Sequence, residues 1–196
     1  MATALGLRVH SGWAAVLAVA GNIAKPEVFY RARLELVDGV VPSQPFHQVE
    51  HLGVARAKEL LGRWQRQVNR LAVTGIRAAL RPSLAQEHEA RCVAILLSSG
   101  RPLPALEQVL ASHALIHAAE GEFFRDALAR AAKQCRLQVV DIVEKQLFAE
   151  AASCLRTTAD ELKQQLNGLR AQVGSPWTRD EKLATLAAYL ALARSK

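Results

Sequence analysis

The 196-residue chain predicts an α/β fold built on a mixed sheet. Two observations carry this. Three strand signals crowd the first forty residues, and two short apolar runs later in the chain, RCVAILL and LQVVDIV, alternate with helical text. Three antiparallel strands followed by helix and strand in alternation require crossover helices packed on a mixed sheet.

The stretch GLRVHSGWAAVLAVA reads as strand, tight turn at Ser11-Gly12 and second strand. After the loop NIAKP, Val28, Tyr30, Ala32, Leu34 and Leu36 alternate with Phe29, Arg31, Arg33 and Glu35, the period of a half-exposed third strand. Asp38-Gly39, Pro42 and Pro45 mark a loop into a helical region from about Val49 to Leu80. Leu60, Leu61, Trp64, Val68, Leu71, Ala72 and Ala79 share one side of it; Arg56, Arg63, Arg66, Arg70, Arg77 and Arg81 fall within roughly 80° on the other. Gly62 and Gly75 oppose helix formation by about 1 kcal/mol each relative to alanine, and Gly75 marks a kink or break.

Arg91 to Leu97 reads as a strand buried on both faces and stopped by Ser98-Ser99-Gly100. Helical text follows from Ala105 to Leu110 and from Ser112 to about Cys135, then a second buried-strand signature from Leu137 to Val143. The remainder is helical over Lys145 to Cys154, Ala159 to Ala171 and Arg179 to Ala193. Capping boxes at Thr158 with Glu161 and Thr178 with Glu181 start the last two. The whole chain, 1–196, is expected to form one domain, with 144–196 as its C-terminal helical part.

This order of elements, from Leu5 to Val143 with the final helices, resembles the ribonuclease H-like superfamily, which includes Holliday-junction resolvases, integrases and the related halves of actin-like ATPases. Nuclease members hold two divalent ions with acids on the first strand, near the end of the fourth and on helices. Here the first strand, LGLRVH, has no acid and ends in His10, and the fourth ends in Ser98-Ser99. Asp180 matches the acid near the start of the last helix and also sits in a capping box. The two-metal site is therefore expected to be absent. Phosphate loops of the actin-like kind are likewise too short at both serine-glycine turns.

The stretch SHALIHAAEGEFFRDALARA places His113, His117 and Glu120 on the helix face shared with Phe124, Ala127, Leu128 and Ala131, turned toward the sheet. That spacing suits a divalent metal, with His10 or Asp180 as further ligands. It also suits a hydrogen-bonded lock between helix and sheet, the commoner role of such polar clusters. Ser98, Ser99 and Ser112 lack the GxSxG elbow of a nucleophile. Cys92 and Cys135 read as core thiols.

Lysine and arginine outnumber aspartate and glutamate by 25 to 18, a formal charge of +7, which favours an acidic partner. The arginine stripe suits phosphate contacts, against the alternative of a solvated face, and no interleaved aromatics support base stacking. Three scattered cysteines and no signal-peptide pattern point to the cytoplasm, with no membrane span. The leading expectation is a binding module for nucleic acid or an acidic protein. The alternatives are a hydrolase, metal-dependent or not, at His113, His117 and Glu120, and a structural homodimer subunit.

Overall fold

A computed structural model describes residues 1–99 and 101–195, so Gly100 of the predicted Ser98-Ser99-Gly100 stop lies outside the described residues. Strands β1 (Ala2–His10) and β2 (Trp13–Asn22) form the predicted hairpin. Gly12 closes its turn at φ +86°, a value that glycine adopts without steric cost. β2 then pairs antiparallel with β3 (Lys25–Glu35). NIAKP is no extended loop: only Ile23 and Ala24 separate the strands, and the Asn22 side-chain oxygen accepts from the Ala24 and Lys25 amides. A bulge near Phe29 also interrupts the period of two. Val28 thus packs against one side of the sheet, while Tyr30 and Leu34 pack against the other.

β4 (Glu89–Leu97) lies parallel to β1, and β5 (Gln138–Val143) parallel to β4, giving the order β3-β2-β1-β4-β5. β4 is buried on both faces as predicted, with Val93 and Ile95 in one core and Cys92, Ala94 and Leu96 in the other. β5 departs from its prediction. As an edge strand it is only partly covered, and Asp141 is exposed.

Helices α1 (Pro45–Val49), α2 (Val54–Ala85), α3 (Leu106–Leu110) and α4 (His113–Gln134) supply the layer on one face. The region predicted as one helix from Val49 divides at Glu50–Gly53, after which α2 runs unbroken through Gly62 and Gly75. Gly75 is a point of close approach, not a break, because a Cβ there would lie 2.3 Å from Leu34 Cδ1 of β3. The other face carries a 3₁₀ turn (Glu144–Gln146), α5 (Leu147–Leu155), α6 (Ala159–Gly168), α7 (Arg170–Val173) and α8 (Arg179–Arg194). Both predicted capping boxes form, although the helix begun at Ala159 stops at Gly168.

α8 is the most deeply set helix: every residue from Leu183 to Leu192 is buried. Burying each leucine contributes about 1.5–3 kcal/mol. The helix backbone rests directly on β1 at Gly6, where a Cβ would sit 1.9 Å from the Ala184 carbonyl oxygen. Tyr189 ties α8 to the β2–β3 hairpin by accepting from the Glu27 amide at 2.7 Å and donating toward the Ala20 carbonyl at 3.2 Å. This seating brings the first turn of α8 to the end of β1.

Candidate functional site

The side chains of β1 alternate between the two cores. Leu5 and Leu7 enter the α2–α4 layer, so Gly6 and Arg8 face α8. Arg8 would be an unpaired charge beneath that helix if the chain did not supply acids, and it supplies two. Its guanidinium grips Glu144, just beyond β5, in a two-pronged pair: Nε donates to Oε2 at 3.0 Å and Nη2 to Oε1 at 3.1 Å. Nη1 donates to Asp180 Oδ1 in the first turn of α8 at 2.5 Å. The N-terminal end of a helix favours a carboxylate there.

Burial works against the Arg8 charge, but the hydrogen bonds to Glu144 and the charges of Glu144 and Asp180 outweigh it and raise the guanidinium pKa. Bidentate pairing is the geometry in which arginine binds carboxylate most strongly. His10, two residues along the same strand, places Nε2 at 2.8 Å from Arg8 Nη1 and 3.0 Å from Asp180 Oδ2. One ring nitrogen cannot accept from the first and donate to the second at once, so its tautomer selects one bond. The ring stacks on Trp13 at 4.3 Å, and Arg33 lies 4.0 Å over Trp13. Arg8 and Glu144 line an open cleft of about 480 Å³ with Ser98, Lys145, Phe148, Arg179 and Leu183.

Arg8 thus stands on the strand where two-metal nucleases of this architecture place an acid. The donor set does not fit two divalent cations. Arg8, Lys145 and Arg179 contribute three positive charges near the two negative charges of Glu144 and Asp180, a balance of +1. Arg8 itself takes up carboxylate oxygens that a metal would require. His10 and Asp180, both singled out in the sequence, meet here. Arg8 and Glu144 were not singled out, although a lone cation in the otherwise apolar strand of LGLRVH was the available signal.

His113, His117 and Glu120 lie on the opposite side of the sheet and do not converge with His10 and Asp180. Their predicted orientation needs correction. The first turns of α4 pack against α1 and α3, leaving His113 and His117 exposed while Glu120 is buried at 1%. The partner of Glu120 is His47, a residue that the sequence reading missed, whose Nδ1 lies 2.8 Å from Glu120 Oε1. Pro45 opens α1, and Phe46 packs edge-on against Phe123 of α4, which holds His47 in place. His113 Nε2 and His117 Nε2 are 3.1 Å apart.

The arginines of α2 are where the periodicity puts them. Arg56, Arg63, Arg66, Arg70, Arg77 and Arg81 are all exposed, while Leu61, Val68, Ala72, Ile76 and Ala79 are buried opposite. Arg56 pairs with Glu59, and Arg70 hydrogen-bonds Gln67. Arg63, Arg66, Arg77 and Arg81 have no ion pair among the described residues. Cys92 is buried, and burial pushes its thiol pKa up, which suits a core thiol and not a nucleophile. No helix among the described residues is long and apolar enough to cross a membrane.

No protein-family model matches the chain, and no curated protein matches it. Solved structures do. RuvC of T. thermophilus in complex with a Holliday junction substrate aligns at a TM-score of 0.55 and 14% identity, covering 99% of this chain and 95% of that one. A second Thermus thermophilus RuvC structure aligns at 0.53 and 15%, covering 98% and 95%. Identity this low carries the architecture alone, and on that architecture the chain has a ribonuclease H-like α/β fold.

Proposed function

We propose that the protein binds nucleic acid through the phosphate backbone and does not hydrolyse it at the end of β1. The observation that carries this reading is the exposed arginine stripe of α2. From Arg56 to Arg81 it extends roughly 38 Å along one helix face, at 1.5 Å per residue. Guanidinium groups suit phosphate oxygens, and such contacts position a protein on a duplex without reading its bases. The fold is compatible with this role, since a solved protein of the same architecture holds a Holliday junction. The pairing of Arg8 with Glu144 and Asp180 supports binding without two-metal cleavage, because both acids are already engaged by an internal cation.

The test is a fluorescence-anisotropy titration of duplex and four-way-junction DNA at several salt concentrations. Each phosphate contact should add about 0.9 to the slope of log affinity against log salt. Charge reversal of Arg63, Arg66, Arg77 and Arg81 to glutamate should weaken binding at least tenfold and flatten that slope. Binding that ignores salt, or that survives the four reversals unchanged, would overturn the proposal.

A further inference from the structure

The geometry points to a three-histidine site for one zinc-like divalent transition-metal ion, formed by His47 of α1 with His113 and His117 of α4. This site lies across the sheet from Arg8 and is independent of the nucleic-acid reading. One ring nitrogen from each histidine falls within 4.8 Å of the others. Three nitrogens bound to one tetrahedral zinc at about 2.0–2.1 Å lie roughly 3.4 Å apart. His113 and His117 already meet at 3.1 Å, and both side chains are exposed, so small rotations close the remaining distance.

Two observations outside the trio point to a cation. The first is the bond between His47 Nδ1 and Glu120 Oε1 at 2.8 Å. A carboxylate on one ring nitrogen fixes the tautomer and frees Nε2 as a ligand, the arrangement that supports metal-bound histidines. The second is Glu120 itself, which is 1% exposed and whose Oε2 is buried without a hydrogen-bond partner. A buried carboxylate so incompletely satisfied is costly, and a doubly charged ion held by His47 would offset it. Imidazole ligands select zinc, copper or nickel over magnesium and calcium. Three protein ligands leave a fourth position for water or an anionic oxygen.

This differs from a ligand set of His113, His117 and Glu120. Glu120 acts through His47 as a positioning residue, and His47 replaces it as the third ligand.

The experiment uses the full chain after chelator treatment, titrated with Co²⁺ by visible absorption and with Zn²⁺ against a chromophoric competitor. One equivalent should bind, with the intense visible bands of four- or five-coordinate Co²⁺. His117→Ala, at an exposed position that leaves the fold intact, should weaken binding at least about 100-fold, as should His47→Ala. Glu120→Gln should weaken it about 10–100-fold. His51→Ala, exposed and outside the trio, should bind as the parent does. Absence of stoichiometric binding at micromolar metal, or binding in His117→Ala equal to that of the parent, would overturn the assignment.

Discussion

Replacing Arg8 by methionine keeps the aliphatic stem but removes the cation that joins Glu144 and Asp180. Three charge-assisted hydrogen bonds disappear, at 3.0, 3.1 and 2.5 Å. In a fully buried setting, breaking such a cluster costs about 3–5 kcal/mol, and at a fully exposed surface about 1 kcal/mol or less. The three side chains are 18%, 27% and 24% exposed, so the cluster stands between these limits. A loss of about 2–3 kcal/mol is expected, which lowers the Tm by roughly 4–12 °C in a chain of this size. Much of that loss comes from two carboxylates left without their shared partner. Adding Glu144→Gln and Asp180→Asn to Arg8→Met should therefore recover at least half of it, whereas the same neutral changes beside intact Arg8 should destabilise. Urea unfolding of the complete cycle measures the coupling, expected at about 1–2 kcal/mol. A variant Arg8→Met within about 0.5 kcal/mol of the parent, or a strictly additive cycle, would refute the role of Arg8 as an internal counter-ion.

Gly6→Ala should be severely destabilising, by about 3 kcal/mol or more, because the new methyl meets the Ala184 carbonyl and neither backbone can yield cheaply. Gly75→Ala should cost less, since its obstacle is the adjustable side chain of Leu34, and equal urea midpoints for the two would contradict this ordering. Burial raises the Tyr189 phenol well above its ordinary value near 10. The folded chain then holds that proton more tightly than the unfolded one, so the contribution is fully present below about pH 10 and declines as pH rises beyond it. Tyr189→Phe should be less stable at neutral pH by about 1–2 kcal/mol, having lost the Glu27 and Ala20 bonds, and should lose less stability than the parent between about pH 8 and pH 11. Parallel pH curves for the two proteins would contradict the assignment.

Much of the fold was legible in the sequence because its signals are local. The Ser11-Gly12 turn, the two-faced β4 and both capping boxes involve residues within a few positions of each other. The departures occur where neighbours in space decide. Phe29 shifts a register that alternation alone cannot reveal, β5 resembles β4 in composition but lies at the edge, and Gly75 accommodates Leu34 without ending α2. The arginine face of α2 was readable for the same reason as the turns: a helix repeats every 3.6 residues wherever it lies.

For the sites, the sequence by itself determined which side chains share a helix face or a strand face. It paired His113 with His117, placed the six arginines together and marked Asp180 at a helix start. Only the tertiary structure decided their partners. Arg8 meets Asp180 across 172 positions of chain, and His47 meets Glu120 across 73. Periodicity specifies direction about a local axis, whereas a charge buried by folding is compensated by whatever group the packing of other elements brings beside it. Here the seating of α8 on Gly6 brings Asp180 to Arg8, and the packing of α1 against α4 brings His47 to Glu120.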